Sequence, residues 1–146
     1  MAPTRAQLLE TAIALVRSFE TWTIDAVLAQ RSPKSTQQVL PKSLGRPVQD
    51  LEGFRRYLEH LILLVPDGFK VDAHYKEPIV DEATRKVAVF AWCSANTVVG
   101  PYENEYIFVI QLNEDGTLAD KVEEYLDSQL LRDVESRLAS AGIELK

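Results

Sequence analysis

Between residues 85 and 127 the chain carries three consecutive strand-like runs, 86–99, 102–112 and 117–126, separated by Gly100-Pro101 and by Asn113-Glu114-Asp115-Gly116. β-branched and aromatic residues fill the runs and turn formers punctuate them, the pattern of a meander of long antiparallel strands. Whatever else the chain folds into must cover that meander. In the first run Val87, Val89, Ala91, Cys93, Ala95 and Thr97 make a face of small residues, and Ala88, Phe90, Trp92 and Ser94 make the other. Two apolar faces require two covers. Helices are expected over one, and a second copy of the chain over the other, with Phe90 and Trp92 as its anchors.

The remaining elements supply those helices. Thr4 and Gln7 have the spacing of a capping box, and Leu8, Leu9, Ala12, Ile13, Leu15, Val16 and Phe19 follow at helical period to about Ser18. A short second helix carries Ile24, Val27 and Leu28 inward, with Trp22 placed to staple the two. Pro33 limits it, because proline disfavours helix in the residue before it. A short strand is expected over 36–40, then an irregular stretch over 41–47. Asp50 caps a third helix whose apolar face is Leu51, Phe54, Leu58, Leu61, Ile62 and Val65, stopped by Pro66-Asp67-Gly68. Alternation over 69–75 reads as a strand. Leu130, Leu131, Val134 and Leu138 mark a last helix with Gly142 at its end. Helices first, then strands, then one more helix make an α+β chain, expected to be one domain over residues 1–146.

Composition removes several function classes. The net charge is -6, with no Lys/Arg cluster, so a nucleic-acid partner is not expected. One cysteine, Cys93, permits no internal disulfide, and His60 and His74 stand far apart, so no metal centre or other cofactor is expected. The first helix is amphipathic and not a signal peptide, and no apolar run reaches membrane-spanning length. A cytoplasmic protein is the expectation.

Three segments, 40–47 (Leu-Pro-Lys-Ser-Leu-Gly-Arg-Pro), 100–106 (Gly-Pro-Tyr-Glu-Asn-Glu-Tyr) and 124–128 (Glu-Tyr-Leu-Asp-Ser), are similar to segments of small fungal isomerases and cyclases of meroterpenoid and polyketide pathways. The element order resembles the ketosteroid-isomerase, SnoaL-like and nuclear-transport-factor-like superfamily. That resemblance implies a cone of curved antiparallel sheet with helices over its concave face, a homodimer, and a cofactor-free pocket inside the cone. It further implies acid/base isomerisation or cyclisation of a large, apolar, polycyclic terpenoid or polyketide. A non-catalytic ligand-binding or interaction module of the same fold is the alternative.

Candidate site residues follow from position. Glu124 interrupts an apolar face shared with Val122 and Leu126, and Asp127 ends the same strand, where the resemblance implies an acid; Asp127 also fits a helix cap. Glu105 and Asn104 point to opposite faces of one strand, so a single cavity takes only one of them. Asn104 and Tyr106 suit donors to a substrate oxygen. His60 sits on the flank of the third helix and is the better of the two histidines for proton transfer. Gln38, Arg46 and Tyr57 complete the substrate-binding candidates, Arg46 being able instead to pair with Asp50, and the Tyr102 phenol is a further possible donor. Cys93, among Ala and Val, reads as packing.

Overall fold

The computed structural model describes residues 2–144. The reciprocal cap at Thr4 forms: its hydroxyl accepts from the Gln7 amide at 3.2 Å, and the Gln7 side chain accepts from the Thr4 amide at 2.8 Å. It opens α1 (Arg5–Arg17), whose Leu8, Ala12, Leu15 and Val16 are fully buried. A 3₁₀ turn over Ser18–Glu20 leads to α2 (Ile24–Leu28), capped by Thr23. Then come β1 (Arg31–Leu40), α3 (Leu51–Leu64), β2 (Phe69–Asp81), β3 (Lys86–Thr97), β4 (Gly100–Leu112), β5 (Ala119–Leu126) and α4 (Ser128–Ser140). Trp22 ties the first helices to the corner between α3 and β2: its indole N–H donates to the Val65 carbonyl at 2.6 Å, and its ring meets Phe69 edge-on.

The strands form one sheet in the order β1-β5-β4-β3-β2. β2 to β5 are antiparallel neighbours, but β1 lies parallel to β5, so the expectation of a wholly antiparallel sheet is corrected at that edge. The last strand returns beside the first, and the chain runs from β1 through α3 to the far edge before the meander begins. β1 is also longer than the expected 36–40. Its register jumps between Arg31 and Thr36, and Pro33 sits in that irregular stretch on an edge strand, where a missing N–H is tolerated. The same licence extends β2 past Tyr75 to Asp81, with Pro78 inside the second of two register shifts on the opposite edge. The β3–β4 turn falls at Val98-Val99, two residues earlier than Gly100-Pro101 suggested, and Gly100 adopts φ 106 as β4 begins.

Strand parity decides what faces inward. Val87, Val89 and Ala91 on β3, Tyr106, Phe108, Ile110 and Leu112 on β4, and Val122 on β5 form one core with the apolar face of α1. A second cluster joins Val27 and Leu28 of α2 to Phe54 and Leu58 of α3. Helices thus cover the inner face of the sheet. Phe90, Trp92, Ile107 and Val109 look the other way and stay partly exposed. Among the described residues no helix is long and apolar enough to cross a membrane.

Candidate active site

Between the inner sheet face, α3, α4 and the 41–50 segment lies a cavity of about 110 Å³. Phe54, Leu58, Leu61, Phe69, Phe108 and Leu131 give it apolar walls, while Glu124, Gln37, Tyr57, Tyr102, Tyr106 and Arg46 are its polar lining. Each is delivered by local structure. Glu124 pairs in register with Phe108 and alternates with Val122 and Leu126, which turns it inward. Tyr57 lies one helical turn from Phe54, with the two rings stacked at 6.3 Å. Arg46 follows Gly45, whose φ of 70 reverses the chain after the 3₁₀ turn Lys42–Leu44. The segment is held to β1 by two backbone bonds between Gln37 and Gln49, at 2.8 and 2.9 Å.

Glu124 is the titratable centre. Burial pushes its carboxyl up from 4.5 to about 7, against the pull of the Arg31 charge and a hydrogen bond from Gln37. The Gln37 side-chain nitrogen donates to Glu124 Oε1 at 3.1 Å. The phenols around it stay protonated: burial raises the pKa of Tyr57, Tyr102 and Tyr106, and the Glu124 charge adds to the rise in each. Tyr102 and Tyr106 share a hydrogen bond of 2.7 Å between their hydroxyls. The Asn104 side-chain nitrogen donates to the Tyr102 hydroxyl oxygen at 2.8 Å. Two phenolic hydrogens serve one Tyr–Tyr bond, so one remains to point elsewhere. The arrangement is a carboxyl able to give or take a proton, beside neutral donors that stabilise charge on oxygen.

The structure brings Glu124, Tyr57, Arg46, Tyr102 and Tyr106 to one cavity and places Glu105, Asp127, His60, Gln38 and Asn104 outside its lining. Glu105 is exposed on the outer face, opposite Trp92 in register, because odd positions of β4 point away from the helices. Asp127 caps α4, accepting from the Gln129 amide at 2.9 Å. His60 is exposed on α3, its Nδ1 against the Arg56 carbonyl oxygen, in a surface groove that touches the cavity only through Gln49 and Tyr57. Gln38 points to the opposite side of β1 from Gln37 and donates to the Arg46 carbonyl at 3.2 Å. Asn104 is fully buried, and its amide is consumed internally. Arg46 pairs with Glu135 of α4, not with Asp50, which caps α3. Cys93 lines the cavity with its thiol pushed up to about 12, by burial first. Gln37, Gln49 and Arg31 escape the sequence reasoning; Gln37 and Gln38 are adjacent and chemically alike, and only the pairing of β1 with β5 turns Gln37 toward the carboxyl. Among the described residues no cluster of His, Cys, Asp and Glu is arranged to hold a metal.

No protein-family model matches the chain. The austinoid biosynthesis clusters protein H of Penicillium brasilianum is 35% identical over 136 residues, covering 88% of each chain. The chain belongs to this family of fungal meroterpenoid-pathway proteins. The crystal structure of the BvnE pinacolase from Penicillium brevicompactum superposes with a TM-score of 0.89 at 31% identity, over 94% of this chain and 98% of that one. A SnoaL-like polyketide cyclase from Jannaschia, at 12% identity and TM-score 0.69 over 90% of this chain and 93% of its own, shares the fold. The family is therefore SnoaL-like in architecture.

Proposed function

We propose that this protein is a cofactor-free isomerase or cyclase that rearranges a polycyclic meroterpenoid by acid/base catalysis. The observation that carries the proposal is Glu124, a carboxyl poised near neutral pH among apolar walls and neutral phenols. Membership of a family of meroterpenoid-pathway proteins supports the substrate class, and the likeness to a pinacolase supports rearrangement. In the protonated form Glu124 donates to a substrate oxygen; in the ionised form it removes a proton from carbon or hydroxyl. Tyr57, Tyr102 and Tyr106 are donors for a carbonyl or alkoxide oxygen, and the apolar walls hold the ring system and exclude water. The bonds exchanged lie within the substrate, and the proton taken at one step is returned at another.

The test is incubation of the purified protein with oxygenated polycyclic meroterpenoids in the presence of a strong chelator. Formation of a product of unchanged mass and altered skeleton is the expected result. A gain or loss of the mass of one water molecule would identify a hydratase or dehydratase instead. Tight binding without conversion would identify a binding module.

The outer sheet face supports a homodimer. Phe90 and Trp92 sit there with the exposed Tyr75 and Ile79, an apolar surface that a second copy would bury. Trp92→Glu is expected to convert a dimer into a monomer in sedimentation velocity, because a charge would be buried unpaired. A Trp92→Glu protein that remains dimeric would remove this face as the interface.

A further inference from the structure

We propose that Arg31 is a positioning residue that acts on Glu124 through Gln37, so that the transferable proton is carried on Glu124 Oε2. The inference rests on the catalytic role proposed for Glu124. Arg31 opens β1 and is buried, its guanidinium lying 4.4 Å over the Phe54 ring while Nε donates to the Val27 carbonyl at 3.2 Å. Its Nη1 donates to the Gln37 side-chain oxygen at 2.5 Å. A guanidinium only donates, so Gln37 must present its oxygen to Arg31 and its NH₂ to Glu124. That NH₂ also only donates, and it is bonded to Glu124 Oε1. Oε1 is therefore an acceptor in both protonation states. The proton, when present, is on Oε2.

The same chain of contacts supplies a constant field. Burial lowers the Arg31 pKa to about 10, which leaves it charged wherever Glu124 titrates, near 7. Around the carboxyl stand Gln37 and Arg31 from β1, Tyr57 from α3, Cys93 from β3, and Tyr102 and Tyr106 from β4. Arg46, from the 41–50 segment, is neutralised by its pairing with Glu135 of α4. The phenols and the thiol remain neutral up to alkaline pH. Arg31 is then the uncompensated charge acting on Glu124 among the described residues.

The experiment titrates the Glu124 carboxyl by carbon NMR in the wild type, Arg31→Met, Gln37→Leu and the double variant, with circular dichroism as the folding control. Both single variants are expected to raise the midpoint, Arg31→Met by ~1 pH unit or more, since each removes an interaction that favours the carboxylate. If Arg31 acts through Gln37, the double variant shifts by less than the sum of the two singles. Arg31→Lys, which keeps the charge, is expected to move the midpoint less than Arg31→Met. An unmoved midpoint in folded Arg31→Met overturns the proposal, and so does strict additivity in the double variant. Should Arg31→Met not fold, Arg31→Lys and Gln37→Leu decide: an unmoved midpoint in Gln37→Leu is again a refutation. None of these measurements needs substrate, so they separate failure of the relay from failure of the catalytic role of Glu124, which is read by turnover.

Discussion

Replacing Glu124 by glutamine is expected to lower turnover by ~10²–10⁴-fold, the usual contribution of a general acid/base group. The amide keeps the size of the protonated carboxyl and removes its capacity to change protonation state. Wild-type activity should follow the ionisation of a group near 7, and Glu124→Gln should lose that dependence. The same substitution has a stability signature of known sign. The folded-state pKa lies above the unfolded value of 4.5, so the favourable contribution is present below pH 4.5 and is lost as pH rises through about 7. That loss amounts to roughly 3 kcal/mol by pH 8. Glu124→Gln escapes it. Denaturant unfolding at pH 5 and pH 8 should therefore show the variant gaining on the wild type as pH rises. Near-normal turnover in Glu124→Gln would remove this residue from the chemistry, and equal pH dependence of stability would show that the carboxyl is not buried in solution.

The second large effect is expected at Asn104. Its side-chain oxygen accepts from the Glu105 amide at 2.8 Å and the Asp127 amide at 3.1 Å, while its nitrogen donates to Tyr102 and to the Asp127 carbonyl at 3.1 Å. One buried amide thereby joins β4 to the junction of β5 and α4. Asn104→Ala leaves several of these partners without a bond in a place water does not reach, at roughly 1–3 kcal/mol each. A total loss of roughly 3 kcal/mol or more is expected in urea unfolding. Turnover should fall as well, because Tyr102 loses the donor that orders its hydroxyl and that of Tyr106. A variant destabilised by less than about 1 kcal/mol would show that the partners find substitutes.

Much of the architecture is written in periodicity. The Thr4–Gln7 cap, the apolar face of α1, Asp50 before α3 and Asp127 before α4 act through neighbours two to four residues away, so they are legible without the fold. The meander is legible for the same reason, and its alternation places Tyr106 and Phe108 on the inner face and Glu105 on the outer one. Glu124 is visible as a charge breaking an apolar alternation. The strands that carry Pro33 and Pro78 read as shorter than they are, because local propensity does not reveal that each lies at a sheet edge.

What the amino-acid order determined by itself was the set of elements, their inward faces and a short list of carboxyls, Glu105, Glu124 and Asp127, among which the acid was to be sought. Those depend on interactions within a turn of helix or a pleat of strand. Only the tertiary structure decided the company Glu124 keeps. The parallel pairing of β1 with β5 sets Gln37, not Gln38, against the carboxyl, and α4 draws Arg46 away to Glu135. These contacts join residues 87 and 89 positions apart in the chain, and no local period encodes which of two adjacent glutamines will face inward.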